Sequence, residues 1–187
     1  MAIEKMFNIL LTNKPSLYIK KNEKELFEMI PELKYSKGFN QNNIWHVYDV
    51  YEHILHVIDN VPNNLILRLT ALFHDIGKPF VYTEDENKVG HFYGHWDKSN
   101  EIFNSFANKY NLDKELVEIV SKLITYHDIR INKLSKEELQ DLVIIFNMDE
   151  IKMLFELKRS DLLAQNPKFH SLLEDYIEDE RKIINLM

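Results

Sequence analysis

The sequence contains no cysteine, only four glycines and no apolar run long enough to cross a membrane. Without cysteine the chain forms neither disulfides nor thiolate metal sites, so histidine and carboxylate side chains are its only strong metal ligands. Any metal site should therefore have exchangeable positions, unlike a closed structural zinc site. The scarcity of glycine and the 45% of hydrophobic residues argue against disorder and favour a helical protein.

The start of the chain and its charge restrict location and partners. The first residues, Met-Ala-Ile-Glu-Lys-Met, lack the basic and then apolar order of a secretion signal, so we expect a cytoplasmic protein without membrane contact. The net charge of -7 argues against broad non-specific binding of nucleic acid. A local pocket for one nucleotide is favoured over a site for an RNA end. The sequence does not predict an oligomeric state.

Hydrophobic periodicity predicts an all-α fold of about eight or nine helices, with one small β-hairpin near residues 80–92. No linker rich in proline, glycine or serine interrupts the 187 residues, which predicts a single domain. Its expected parts are N-terminal helices over residues 1–40, a core over residues 44–166 and a C-terminal helix over residues 168–187. A capping box beginning at Ser135 predicts one of the helix starts.

The most informative stretch is an apolar helix that begins near Leu65 and leads into His74 and Asp75. Almost every residue in it is apolar, so the helix should be buried on most sides, and Gly77 and Pro79 mark its end. An imidazole and a carboxylate buried there would be costly without a partner. A bound cation is one partner that satisfies both.

Further helices direct metal-competent side chains inward. Apolar stripes at helical spacing lead to His53, His95, His127 and Asp161. A single histidine on such a stripe is more often a hydrogen-bonded core residue, and a single aspartate is often a cap or half of a buried pair. The coincidence of five such segments in a chain without cysteine favours a shared cation.

The remaining histidines carry less information. We interpret His56 as solvated and His170 as a surface residue. His46 is either a packing or capping residue or lines the mouth of a pocket, and His91 is either structural or a substrate contact. The acidic turn 84–87 lacks the spaced ligands and the glycine of a calcium loop, so we interpret it as a solvated turn.

Four ordered motifs carry a resemblance to a known family. They are Gln41-Asn-Asn-Ile-Trp-His46-Val-Tyr-Asp49-Val-Tyr-Glu-His53, His74-Asp75-Ile-Gly-Lys78-Pro79, His91-Phe-Tyr-Gly-His95 and Ser160-Asp161-Leu-Leu-Ala-Gln165. They resemble the HD superfamily of metal-dependent phosphohydrolases, and most closely the HD domain of bacterial CCA-adding tRNA nucleotidyltransferases. The resemblance covers about residues 28–168 and implies the all-helical HD fold. The sequence contains no glycine-rich nucleotidyltransferase segment with paired aspartates, so nucleotide addition is not expected.

The resemblance also implies a ligand set. One divalent cation would be held by His53, His74, Asp75 and Asp161. His95 and His127 match positions at which some HD proteins hold a second metal or contact a phosphate. Mixed imidazole and carboxylate ligation suits manganese, nickel, cobalt, iron or zinc, and it admits magnesium through carboxylate and water ligands.

Two basic residues are candidates for phosphate binding. Lys78 follows the His74 and Asp75 pair closely, and we assign it to phosphate binding and charge stabilisation, with neutralisation of the preceding helix C-terminus as the alternative. Arg130, just past His127, is a candidate for a second phosphate contact.

The expected function is hydrolysis of a phosphomonoester or phosphodiester of a nucleotide or a similar small molecule, such as a 2′,3′-cyclic phosphodiester or a nucleoside monophosphate. The cation would lower the pKa of a water that Asp75 orients for in-line attack. Lys78 with His95 or His127 would stabilise charge on the phosphoryl oxygens. One alternative is a hydrolase of signalling nucleotides or deoxynucleotides. Another is a catalytically silent, metal-stabilised module that binds RNA or a protein.

Overall fold

The computed structural model describes residues 1–187, and it confirms the all-α class with a single small hairpin. The α-helices are α1 (Ile3–Leu10), α2 (Pro15–Lys21), α3 (Glu23–Met29), α4 (Leu33–Ser36), α5 (Val50–Asn60), α6 (Leu65–Phe73), α7 (Lys78–Val81), α8 (His95–Lys109), α9 (Lys114–Tyr126), α10 (Lys136–Ile145), α11 (Met148–Leu163) and α12 (Leu173–Ile184). Two 3-10 segments cover Ile131–Lys133 and Pro167–Leu172. The predicted count of eight or nine helices was too low because helices of four to seven residues are too short to show a hydrophobic period.

The hairpin is smaller than predicted. Strand β1 (Thr83–Glu84) pairs antiparallel with β2 (Gly90–His91), and Thr83 lies opposite His91. The residues just before β1, which we expected to begin the first β run, instead form the one-turn helix α7. Pro79 stands in the first turn of α7, where its missing N–H leaves no hydrogen bond unmade and its fixed φ suits a helix.

Helix α6 forms the centre of the fold, as its apolar sequence predicts. Seven consecutive residues from Leu67 to Phe73 are buried, and α6 contacts α1, α5, α8, α9 and α11. Asn64 caps its start by accepting a hydrogen bond from the Leu67 N–H. Burying each large apolar side chain of this helix contributes roughly 1.5–3 kcal/mol, so α6 is a rigid base for the residues that follow it.

The largest hydrophobic cluster contains residues from α1 to α6, α8, α9 and α11. A second cluster joins α9 to α10, α11 and α12 through Leu123, Phe146, Phe155 and Ile183. The predicted capping box at Ser135 is present, since its side chain accepts from the Glu138 N–H and Glu138 accepts from the Ser135 N–H. None of the helices has the length and apolar character needed to cross a bilayer.

Candidate metal centre

Three helices that are far apart in sequence bring four metal-competent side chains together. His53 comes from α5, His74 and Asp75 follow the last residue of α6, and Asp161 lies in the last turn of α11. The two imidazoles are completely buried, Asp75 is 1% exposed, and only the side chain of Asp161 is partly exposed, at 21%. We call these four residues the first group.

The distances between imidazole and carboxylate atoms within the first group, the longest of which is 3.7 Å between His74 Nε2 and Asp161 Oδ1, are close to those between ligands of one ion. His53 Nε2 lies 2.8 Å from Asp161 Oδ1 and 3.2 Å from Asp75 Oδ2, and His74 Nε2 lies 3.3 Å from Asp75 Oδ2. With metal–ligand bonds of about 2.1 Å, neighbouring ligands of a tetrahedral or octahedral ion are roughly 3.0–3.4 Å apart. Although they are this close to oxygens, the two Nε2 atoms make no hydrogen bond of acceptable geometry. Their lone pairs therefore fit a cation placed between them.

A second group shares Asp75 with the first. His95, the first residue of α8, and His127, the residue after α9, place their Nε2 atoms 3.3 and 3.7 Å from Asp75 Oδ1. Both imidazoles are 5% exposed, and their Nε2 atoms are 3.1 Å apart. Asp75 thus presents Oδ2 to the first group and Oδ1 to the second.

The four histidines use the same orientation. In each, Nδ1 faces a backbone carbonyl oxygen, at 3.4 Å for His53 and Ala164, 2.8 Å for His74 and Ala71, 2.9 Å for His95 and Phe92, and 2.7 Å for His127 and Ile124. A carbonyl oxygen only accepts hydrogen bonds, so Nδ1 carries the proton and Nε2 presents a lone pair to the site. In the neutral ring, this tautomer leaves Nε2 free to bind a metal ion.

Electrostatics make both carboxylates anionic. Burial alone would raise the pKa of Asp75, but His74 and Lys78 hold it well below its usual range, and His53 and His74 do the same for Asp161. Burial also disfavours a charged His74, but the carboxylates of Asp75 and Asp161 outweigh it and raise its pKa to about 10. In the first group, the carboxylates thus demand positive charge from a proton or a cation.

The second group holds less negative charge. Burial lowers the pKa of His127, and the neighbouring His95 and His74 lower it further, while Asp75 opposes them. His127 is therefore neutral near pH 7, and its Nε2 lone pair faces the Nε2 atom of His95. At the 3.1 Å that separates these two atoms, either a proton or a shared cation can lie between them.

The approach of the second group to the first depends on Gly77. A Cβ atom at this position would lie 2.5 Å from the His95 carbonyl oxygen and 2.6 Å from the Ser99 backbone nitrogen. The Gly77 N–H also donates to the hydroxyl of buried Ser99, at 2.9 Å. We predicted Gly77 only as a helix stop. The structure shows that it also lets the start of α8 pack against the residues after α6.

Lys78 is buried beside Asp75. Its ammonium donates to Asp75 Oδ2 at 2.6 Å and to Gln41 Oε1 at 2.8 Å, and it lies 3.4 Å from His46 Nε2. These side-chain contacts place its charge in the site and not over backbone carbonyls at a helix end. Burial, followed by the charge of Lys78, lowers the pKa of His46 to about 2, so His46 is neutral. We did not predict the contact of Gln41 with Lys78, although Gln41 begins one of the motifs quoted above.

The other candidates lie apart from both groups. Arg130 is exposed in the loop after α9 and makes no hydrogen bond or ion pair with the residues above, so its phosphate contact stays a prediction. His91 is half-buried in the hairpin and pairs with Asp85 at 3.1 Å. His56 is exposed, as predicted. His170, interpreted as a surface residue, is half-buried, and its Nε2 atom is buried without a hydrogen-bond partner.

The fold and this site together define a helical protein with a buried histidine and aspartate centre. The family model of the HD domain matches residues 43–154, more than half of the chain, and the chain belongs to this family. HD domains are typically those of metal-dependent phosphohydrolases, and the buried group can hold a divalent metal ion. The matched range includes every residue of both groups except Asp161, which follows it on α11.

One curated relative is a CC-adding tRNA nucleotidyltransferase of Thermus thermophilus. The chain is 33% identical to it over 105 residues, which make up 52% of this chain and 24% of the relative. The chain thus matches about a quarter of the length of that relative. This similarity agrees with the resemblance to the HD domain of CCA-adding enzymes.

Proposed function

We propose that the chain is a metal-dependent phosphohydrolase that hydrolyses a phosphomonoester or phosphodiester of a nucleotide or a similar small molecule. The observation that carries this proposal is the sharing of Asp75, whose two oxygens face two separate groups of imidazole nitrogens while Lys78 lies against it. This combines ligands for one or two cations with a positive charge suited to a phosphoryl oxygen. Manganese, nickel, cobalt, iron, zinc and magnesium are the candidate ions.

In the proposed reaction, the residues of the first group would have different roles. A cation in the first group would supply Lewis acidity and a water of lowered pKa. His53, His74 and Asp161 would hold that ion. The backbone carbonyls that face Nδ1 of the two histidines fix their rings in the ligating tautomer. Asp75, ionised at every pH near neutrality, would hold and orient the attacking water through the hydrogen bonds that its oxygens accept.

Lys78 would bind a phosphoryl oxygen of the substrate. Lys78 is 6% exposed, and Gln41 and Asp75 already orient its ammonium. Little side-chain entropy is therefore lost when it binds a phosphate. His95 and His127 would either complete a second ion site with Asp75 or contact the phosphoryl group directly. In both cases, they stabilise the negative charge that develops during in-line attack.

A stacked pair of rings, one of them exposed, supports a nucleotide as the substrate. The rings of His91 and Tyr93 are parallel within 7° at 5.4 Å, and Tyr93 is 75% exposed. Tyr93 lies two residues before His95 of the second group, a span of at most about 7 Å between Cα atoms. Nucleobases stack on such rings with about 1–3 kcal/mol per base. We propose that this pair contacts the base of a substrate whose phosphate lies at Lys78.

The test is a reconstituted activity screen with a matched pair of variants. Protein stripped with a chelator is loaded with each candidate ion and assayed with p-nitrophenyl esters, 2′,3′-cyclic nucleotides, nucleoside monophosphates, deoxynucleotides and signalling nucleotides. Asp75→Asn preserves the side-chain volume but removes the shared charge, and it should reduce kcat/KM by at least about 10³-fold, equivalent to roughly 4 kcal/mol. Asp149→Ala, on an exposed side chain of α11, should retain wild-type activity.

The screen also separates the alternatives. Higher kcat/KM for 2′,3′-cyclic nucleotides or nucleoside monophosphates than for the p-nitrophenyl esters supports the nucleotide proposal. Preference for deoxynucleotides or signalling nucleotides assigns a different substrate to the same chemistry. Elemental analysis shows whether the protein is loaded with metal. If loaded protein hydrolyses no substrate with any ion, the proposal that it is an enzyme is contradicted and a metal-stabilised binding module is favoured.

A further inference from the structure

Lys158 is a buried lysine without a carboxylate partner. It lies on α11, three residues before Asp161, and is 6% exposed, yet no acidic side chain approaches its ammonium within ion-pair distance. The ammonium instead donates to two backbone carbonyls, to His127 at 3.0 Å and to Ile129 at 2.7 Å. The ring of Tyr176, from α12, covers it at 5.1 Å. Burying this charge is costly, so the structure around it must offset that cost.

The two carbonyls lie at the end of α9 and just beyond it, since His127 is the C-cap residue and Ile129 lies in the loop that follows. The last carbonyls of a helix have no partner within the helix, and many helices satisfy them with a left-handed glycine just beyond the end. This helix lacks that device, because the residue after its C-cap His127 is Asp128, which is neither glycine nor in the left-handed conformation. Lys158 supplies a donor from another helix to the carbonyl of His127 and a second one to the carbonyl of Ile129, so it fixes the backbone of the residue that carries one of the site imidazoles.

His127 is thereby held at two points. Its ring Nδ1 contacts the Ile124 carbonyl at 2.7 Å, and its own carbonyl accepts from Lys158. Without the second contact, the backbone of His127 could rotate and move Nε2 away from Asp75 and His95. Helix α11 therefore contributes to both groups, directly through Asp161 and, one turn earlier, through the hydrogen bonds of Lys158.

We infer that Lys158 is a positioning residue, which aligns the His127 imidazole with Asp75 and His95 by holding the backbone after α9. This inference rests on the proposed function only for its kinetic consequence, because the position of the imidazole can be measured without a substrate. The ammonium of Lys158 donates only to the backbone carbonyls of His127 and Ile129 and to no side chain of either group, so it would act through His127.

The first test observes the imidazole itself. Long-range ¹H–¹⁵N spectra of metal-free protein, with His127 assigned from a His127→Ala variant, are compared between wild type and Lys158→Met. We expect the His127 signals to shift or broaden while those of His53 and His74 stay in place. Lys152→Met, the same substitution at an exposed position of α11, should leave all of these signals unchanged. Unchanged His127 signals in Lys158→Met, or equal changes in all the histidines, would overturn the inference.

The second test is a double-mutant cycle on activity. Lys158→Met should lower kcat/KM about ten- to a hundredfold in the wild-type background, since small misplacement of a site residue has effects of this size. In the His127→Ala background it should lower kcat/KM less than about twofold, because the residue through which it acts is already gone. Equal losses in both backgrounds would show that Lys158 acts by another route.

The inference about Lys158 and the proposed function can fail independently of each other. If the chain hydrolyses none of the substrates, the proposed function falls, but the spectra still decide whether Lys158 positions His127. If Lys158→Met does not fold, Lys158→Gln replaces it in both experiments, because its shorter side chain cannot reach both carbonyls but leaves a polar donor in place. The same shift of the His127 signals is then expected.

Discussion

The two groups around Asp75 differ in charge and in how they are built. The first combines two carboxylates with two imidazoles from three helices, whereas the second adds only the imidazoles of His95 and His127 to the shared Asp75. The carboxylates raise the pKa of His74 to about 10, but burial lowers that of His127. The first group thus attracts positive charge strongly, and the second attracts it only weakly. We therefore expect the first group to bind its cation more tightly.

The largest effect should follow from breaking the first group without touching the second. His53→Ala removes one ligand and is expected to lower kcat/KM by about 10³-fold or more, since a lost ligand removes several kcal/mol of charge stabilisation. Elemental analysis should show the loss of one ion per chain. His56→Ala, on the same helix but exposed, is the matched control and should behave as wild type. A His53→Ala protein that retains both its metal and its activity would remove the first group from the proposal.

A smaller effect should follow from breaking the second group. His127→Ala leaves the first group intact and is expected to lower kcat/KM about ten- to a hundredfold, in the range of a supporting contact and not of an essential ligand. Metal titrations followed by calorimetry should lose the weaker of two binding events. If the metal content and the rate both stay at wild-type values, His127 has no part in the site.

The smallest expected effect is a difference in the number of protons that each group releases when it binds an ion. Burial opposes protonation of His53 and His74, but Asp161 and Asp75 outweigh it and raise the pKa of both residues, that of His74 to about 10, so protons compete with an ion for the first group in metal-free protein. The first ion must displace them, and about one to two protons should be released. His127 is already neutral, so the second ion should displace none from it. Calorimetry in buffers of different ionisation enthalpy measures both numbers, and equal release in both steps would contradict the difference in charge.

The same pKa shifts give the sign of the pH dependence. Metal affinity at the first group should rise with pH up to about 10, because protons compete with the ion until the pKa of His74 is passed. Below pH 7, affinity at the first group should therefore fall more steeply than affinity at the second. Metal titrations at several pH values compare the two slopes.

Much of the fold and the positions of the site candidates could be predicted from the sequence. The apolar stripes at helical spacing that form much of the core also direct His53, His95, His127 and Asp161 inward, so one local pattern predicts both the core and the meeting of these side chains. That these residues act as ligands stays a prediction. The HD motifs added the order and spacing that a periodic pattern alone lacks.

The remaining features depend on contacts between distant segments. Gln41 lies in a loop without periodicity, and its contact with Lys78 exists only because the chain folds back over α7. Lys158 shares its helix face with apolar residues, and nothing local shows that its ammonium reaches carbonyls 29 and 31 residues away in sequence. The one-turn helix α7 and the close approach at Gly77 are likewise set by tertiary packing.

The partial exposure of Asp161 bears on how an ion and a phosphate would enter and leave the site. Three members of the first group are sealed from solvent, and only this carboxylate, 21% exposed, borders the outside. Under the proposed function, an ion would therefore arrive and depart past Asp161, along the same route that a phosphate would take. A phosphate product in that opening would block the ion behind it, so the product would leave first and the metal afterwards.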